Sequence, residues 1–537
     1  MKHAAILCGV LFTTAALGWQ TSPPKKTIRV STHLVQINVS VRNHNGPVTD
    51  LTRDDFILLE RGKLQKISVF ETAATESKPA ASLQLPPNAF SNLPFYETTE
   101  PRSITIVLLD NLNTLYGTAA QPLETSPFWM EDFALANAKS RLMNFIASLD
   151  PRDRVAVYGL SGSLHVLCDF TSDRSQLLKI LKSYDSTAVT NREIVEPGRI
   201  RTPGPGSASD GSTNASAGVL AGMVNANRAA ATMAALQSIA AHVANIPGPK
   251  NLVWLTGNLP FSAAAMASIL NPAQIAVYPV DGRGLQPRMS LQSLEGVIDE
   301  DTAARGDFAP AQSPEPIGVA TMVELADDTG GQASVNTNAL TDAIRHAVEN
   351  SVATYRLGFY VDQNSLDGKF HELKVQVRRS GLNLRYPKGY FAAKDASGRQ
   401  NERSSALAMA IQSPFEWSAL PVQVRLARVD KPQPRSLEIV GSVDLKNVQL
   451  RQEENTWTGA LAVYVVEQDV SGKVLVQIPD GLRLGLSEQQ YQEYLESGLI
   501  FRQWIQPRAD STTLRVLVQD PATSNIGSVI IPLAQVK

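Results

Sequence analysis

The stretch Ile104–Thr114 reads ITIVLLDNLNT, an apolar run that stops at an aspartate followed by amide and hydroxyl side chains. In an open α/β sheet ligands gather at the carboxyl ends of the strands. A carboxylate there with a hydroxyl four residues on, Asp110 and Thr114, therefore supplies the oxygen donors of half a hard-cation site. Between them Leu112 offers only hydrocarbon. A second group with chemical potential is GLSGS, Gly159–Ser163, with His165 two residues beyond. Serine beside histidine has the components of acyl transfer, but a nucleophile elbow is G-x-S-x-G on a strand-to-helix turn, and here G-x-S-G-S sits between two strand-like runs. The histidines His33, His44, His165, His242, His346 and His371 are scattered, with no pair at metal-ligand spacing and no H-E-x-x-H. The glycine-rich stretch from Gly198 to Gly222 follows no strand and lacks a Lys-Ser/Thr ending, which excludes a phosphate-binding loop.

The elements that must position these groups follow from periodicity. Val35, Ile37, Val39 and Val41 alternate as a half-buried strand, Asn45-Gly46 marks a turn, and FILLE and KISVFE make two more strands. Residues 73–102 have the Ala, Ser and Pro composition of a linker. From Ile104 to about residue 352, apolar strands alternate with helical stripes such as Leu142/Phe145/Ile146/Leu149 and Met233/Leu236/Ile239/Val243. That pattern predicts a parallel-dominated sheet covered on both faces, a doubly wound Rossmann-like α/β domain. Residues Tyr184–Asn227 and Gly282–Ile317 read as long irregular loops. At Thr354 the period changes to two, through YRLGFYV and LKVQV, and the strands of 353–393 are expected to pair with those of 28–72. Such pairing inserts the α/β domain, residues 103–352, into a β unit too small to stand alone. Residues 415–537 give about six strands and one capped helix, the pattern of a C-terminal β-sandwich.

The 537 residues are too many for one core and suggest roughly three or four domains. Lys plus Arg number 49 and Asp plus Glu 51, a balance that gives no means of neutralising phosphates and argues against nucleic acid as a partner. Residues 1–18 have a basic start, a short apolar run and small residues Ala16 and Gly18, the pattern of a secretory signal. Export to the periplasm or beyond is the expectation, with no membrane span once the signal is removed. Cys168 is then the single remaining cysteine and forms no intrachain disulfide.

The order of phrases resembles the secreted von Willebrand factor type A (VWFA)-related proteins of acidobacterial type. They include DFILLERGKLQKISVFE, LLDNLNT, DRVAVYGL, VLCDFT, IPGPKNLVWLTGNLP, VYPVDGRGL, LADDTGGQASVNTNAL, YRLGFYV and LDGKFHELKVQV. The resemblance implies a non-enzymatic binding or scaffold module in which a metal-ion-dependent adhesion site holds Mg²⁺ and a protein partner's carboxylate completes its shell. By the same resemblance Asp110, Thr114 and Thr232 match ligands, while Leu112 stands for a serine and Gly257 for an aspartate. The implied site is degenerate, with a weak divalent ion or none and no other cofactor. Asn111, Asn113 and Asn258 can offer amide oxygens on the binding face. Asp281, two strands away at roughly 10 Å, reaches a shared ion only through water. Plain structural roles compete: Asp110 as a turn cap, Thr232 at a helix start, Asp281 paired with Arg283. The expected partner is a protein of the cell envelope or extracellular space. The alternatives are a hydrolase assembled in the fold around Ser161 and His165, or a purely structural envelope protein.

Overall fold

A computed structural model describes residues 32–72, 85–93, 101, 103–113, 140, 142–147, 149–183, 212–246, 248–259, 261–282, 318–335, 345, 354–362, 365–392, 400–429 and 436–536. The signal-like segment 1–18, Thr114, Arg283, all but the first residue of the stretch Gly282–Ile317 expected as a loop, and most of the helix expected over 340–348 lie outside them. The chain is mixed α/β with many antiparallel strand pairs. Among the described residues no helix is long and apolar enough to cross a membrane.

The central sheet carries the strands in the order Ile275–Asp281, Lys250–Thr256, Ser103–Asp110, Asp153–Leu160, Leu164–Thr171. The first four are parallel and the last runs antiparallel at the edge. Every residue of Ser103–Asp110 is buried, and the side chains divide by parity. Ile104, Ile106 and Leu108 pack with Leu236, Ile239 and Met266 on one face. Val107 and Leu109 pack with Leu142, Ile146 and Leu177 on the other. A continuous apolar run is what a strand covered on both faces requires.

Before and after this body the chain forms one β unit. Thr32–Asn43 pairs antiparallel with Thr354–Asp362, and Phe56–Glu60 with Phe370–Val377. Ile37, Val39, Val41, Leu58, Leu357 and Phe359 fill its core. In the tail, Val422–Val429, Ser436–Val443 and Leu499–Ile505 form one antiparallel sheet, and Thr456–Gln468, Thr513–Gln519 and Ile526–Pro532 belong to a second. One apolar cluster draws Val424, Ile439 and Phe501 from the first and Val463, Val516 and Val529 from the second.

Two stretches differ from the reading of the sequence. Within 73–102, whose composition is that of a linker, Ala89–Ser91 is a strand at the edge of the first tail sheet, paired with Val422–Val429. Asn92 anchors it, donating from Nδ2 to the carbonyls of Trp417 and Leu420 and accepting at Oδ1 from the Val422 amide. Three residues are too few to show a period in sequence. Within Tyr184–Asn227, where the sequence pattern predicts an irregular loop, a helix begins at Ser212 and runs to Val243. Its first half, STNASAGVLAGMVNAN, is built of small residues. Alanine favours helix strongly but leaves no apolar stripe to detect.

The α/β body and the tail are joined by the segment 413–418. His242 of the long helix donates from Nδ1 to the Glu416 carbonyl, faces Asp169 through Nε2 at 3.3 Å and stacks on Phe415 at 4.6 Å. From the tail, Arg515 donates to the carbonyls of Ala410, Ser413 and Phe415. Trp417 and Ser528 exchange two hydrogen bonds. Burial opposes charge on His242, but the Asp169 hydrogen bond and charge outweigh it and raise its pKa.

Burial also pushes the Glu416 carboxyl up to about 7, against a hydrogen bond from the Ile530 amide and the charges of His242 and Arg515. The folded chain therefore holds a proton there that the unfolded chain has released above the ordinary glutamate range. Its stabilising contribution is complete at lower pH and is lost as pH rises toward 7. Glu416→Gln keeps the Oε1 acceptor and cannot ionise. Thermal melts across this window should find the variant close to wild type near pH 5 and more stable by about 1–3 kcal/mol near pH 8.

Candidate functional site

At the carboxyl end of Ser103–Asp110 the chain turns through Asn111, Leu112 and Asn113. The amides of Asn111 and Leu112 both donate to the Leu160 carbonyl, at 2.8 and 3.1 Å, which ties the turn to the neighbouring strand. Leu112 points into the core cluster beside Leu108 and Leu164, so its side chain seals the floor of the turn and faces no ion.

Asp110 is 2% exposed. Its Oδ1 accepts from the Asn113 amide at 2.9 Å, and its Oδ2 accepts from Asn113 Nδ2 and from Trp254 Nε1, each at 2.9 Å. The Thr256 hydroxyl is a further partner. A carboxylate has about four lone-pair positions, and protein groups take them here. Burial pushes the Asp110 carboxyl above its usual range, against the pull of these donors from Asn113, Trp254 and Thr256.

Asn113 is the hub. Its Nδ2 also reaches Thr232 Oγ1 at 3.0 Å, and its Oδ1 accepts from Arg228 Nη2 at 3.1 Å. Arg228 is 5% exposed, donates from Nε to the Leu112 carbonyl at 3.2 Å and from Nη1 to Asn225 Oδ1 at 3.3 Å. The structure thus gathers Asp110, Asn113 and Thr232 into one network with a guanidinium at its end. Thr232 does not start a helix. It lies well inside Ser212–Val243, and its hydroxyl donates back to the Arg228 carbonyl at 2.9 Å, the i−4 bond that a mid-helix threonine can make.

The other residues assigned to a binding face are less available than their polarity implied. Asn111, Asn113 and Asp281 are buried, because short polar side chains on a tight turn find backbone and neighbour partners before solvent. Asp281 sits at the end of the strand two places from Asp110, in register with Thr256, and its amide donates to the Ser334 carbonyl. Asn258 holds Oδ1 buried without a hydrogen-bond partner, against Gly318, where a Cβ would come within 2.3 Å of that oxygen. Thr114, the remaining assigned ligand, is outside the described residues. Among the described residues no group of three or more His, Cys, Asp or Glu side chains could hold a metal ion.

Ser161 and His165 do approach. Ser161 Oγ and Ser163 Oγ lie 3.2 and 3.3 Å from the same ring nitrogen, His165 Nε2. Among the described residues no carboxylate is hydrogen-bonded to that ring, so nothing fixes its tautomer as a catalytic base needs.

No family model matches the chain, and no curated protein matches it. Solved structures similar to parts of it include an aerotolerance-related membrane protein from Bacteroides fragilis, 17% identical, over 46% of this chain and 98% of that one, with a TM-score of 0.25. BatB from Bacteroides thetaiotaomicron is 16% identical over the same shares, with a TM-score of 0.27. A von Willebrand factor type A protein from Catenulispora acidiphila is 10% identical over 65% of this chain and 81% of that one, with a TM-score of 0.25. At these scores the likenesses carry no argument about the site.

Reasoning from sequence missed Arg228 and Trp254. The signal for Arg228 was present: a single arginine in NANRAAATMAAL, one helical turn before Thr232 and on the same face. Arg228→Met leaves the Leu112 carbonyl and Asn113 Oδ1 buried without their donor. Urea unfolding should show a loss of about 2–3 kcal/mol. Arg228→Lys should recover little of it, since one ammonium cannot reproduce the planar fork that reaches both acceptors.

Proposed function

We propose that this chain is an exported, non-enzymatic interaction protein of the cell envelope or extracellular space. In this reading its α/β body is a doubly wound, Rossmann-like domain of the von Willebrand type A kind, set in a β unit and followed by a β-sandwich. Its metal-ion-dependent adhesion site is degenerate and works without an ion. The observation that carries the reading is the network from Arg228 through Asn113 to Asp110. A hard cation needs unclaimed oxygen donors at near-octahedral positions. Here the side-chain oxygens of Asp110 and Asn113 are held by amide, indole and guanidinium hydrogens, and a fixed positive charge lies beside them.

Recognition without a bridging ion falls to exposed side chains and free strand edges. In the tail, Leu499–Ile505 is the end strand of its sheet among the described residues, and it presents Ile500 and Trp504 at 56% and 62% exposure. An edge strand with an aromatic anchor suits the addition of a partner's strand. The unheld His165 ring lends no support to a hydrolase.

Capture of envelope proteins by the purified chain, in Mg²⁺ and in chelator, tests the proposal. The expected result is capture that ignores the chelator and falls at least severalfold in Ile500→Ser/Trp504→Ala, with the melting temperature unmoved by millimolar Mg²⁺. Capture that requires the ion would overturn it. So would ester hydrolysis abolished by Ser161→Ala.

A further inference from the structure

At the opposite end of the central sheet from Asp110, the β unit, the α/β body and the tail meet around a cavity of about 590 Å³. Its size is that of sites for small organic ligands. One wall is the outward face of Thr32–Asn43, through Leu34, Gln36, Asn38 and Ser40, whose odd-numbered neighbours Ile37, Val39 and Val41 fill the β-unit core. The floor is Lys250 and Ile275, at the start of their strands, with Tyr278 midway along the second. Leu366 and Phe391 add apolar surface, and Thr523 and Asn525 close it from the tail.

Some polar groups of this cavity are unfinished, although Gln36 and Gln274 bond each other. Asn38 Oδ1, Ser40 Oγ and Asn271 Oδ1 are buried without a hydrogen-bond partner. The orientation of Asn271 follows from its other atom, since Nδ2 donates to the carbonyls of Asp328 and Gly389 and leaves Oδ1 free. Ser40 is 8% exposed and Lys250 is 2% exposed. The Lys250 ammonium has one hydrogen bond, to the Ala273 carbonyl at 3.0 Å. Among the described residues no aspartate or glutamate lines the cavity, whereas Arg385 adds a second cation to the lining. Native interiors rarely leave such groups unpaired, and a buried cation with no counter-ion is the costliest case.

We propose that the cavity is a binding site for a small apolar carboxylate, its anionic group paired with Lys250 and its hydrocarbon held by Leu34, Ile275, Leu366 and Phe391. The free oxygens of Asn38 and Asn271 select, among such ligands, those that also carry a hydroxyl or amide hydrogen. Burial, reinforced by the charge of Arg356, pushes the Lys250 ammonium down to about 7. A bound carboxylate supplies the missing partner and restores the charged form.

The test uses the full chain and a probe set of octanoate, hydroxyoctanoates, phenylpropanoate, octanol and octylamine, read by calorimetric titration and melting temperature. The carboxylates should bind at one site per chain, hydroxyoctanoates most tightly, with octylamine not binding. Lys250→Met should weaken octanoate at least tenfold and leave octanol unchanged. Ser268→Trp, placed in the half-buried lining, should abolish binding of both by filling the space. Its result stands even if Lys250→Met fails to fold. Equal binding of octanoate and octylamine, no binding by any carboxylate, or octanoate affinity unchanged in a folded Lys250→Met or Ser268→Trp would each overturn the proposal.

Discussion

Burying the Arg228 guanidinium at the head of the parallel sheet sets the terms for everything around it. A guanidinium brings five donors in one plane and cannot be neutralised, so the surroundings must present acceptors in fixed directions. The Leu112 carbonyl and Asn113 Oδ1 are two of them, which fixes the turn after Asp110, and Asn225 is a third from the same helix. With Oδ1 committed to the guanidinium, Asn113 must send Nδ2 toward Asp110 and Thr232. The indole of Trp254, from the adjacent strand, completes the aspartate's shell. The network is a structural bolt between one helix and three strands.

The same economy of polar groups operates where the bodies touch. Segment 413–418 has no backbone pairing beyond a single bridge from Ser418 to Gly527, yet Ser413, Phe415, Trp417 and Ser418 are buried. Its carbonyls go to Arg515 and His242, and its amides to Ser528 and the Ala241 carbonyl. Irregular backbone can be buried only when each such group finds a partner. The seam is therefore specific, and it leaves the α/β body and the tail little freedom to swing. At the cavity beyond the opposite end of the sheet the accounting fails for three side chains that line one space, Asn38, Ser40 and Asn271.

What the sequence revealed depended on repetition. Val35, Ile37, Val39 and Val41 announce a strand because one face repeats every second residue, and the last three are buried in the β-unit core. Ile104–Leu109 announces a strand covered twice because no polar residue but Thr105 interrupts it. The first half of the helix Ser212–Val243 carried no such rhythm, since its residues are mostly small or polar, and Ala89–Ser91 was too short to have one. The site was legible in its residue types and not in its wiring. Asp110, Asn113 and Thr232 were all visible as polar singularities, but whether an amide faces a solvent ion or a neighbouring carboxylate depends on which helix comes to lie above it. That depends on contacts 119 residues apart, as between Asn113 and Thr232.

The β unit has a consequence in time. Leu51 bonds the Tyr355 hydroxyl across 304 residues, and Thr32–Asn43 has its long pairing partner in Thr354–Asp362. As the chain emerges from its amino end, that first strand is made long before the strand that will satisfy it. Until then it shows Val35, Ile37, Val39 and Val41 on one face and an unpaired row of amides and carbonyls along its edge. The intervening α/β body must emerge first, and its closure shortens the gap by bringing the ends of the insertion together, with Val69–Thr72 also pairing to Thr354–Asp362. Pairing at such separation is slow. The newly made chain is thus most vulnerable to misassembly at its oldest residues, and the β unit is finished only after the domain it encloses.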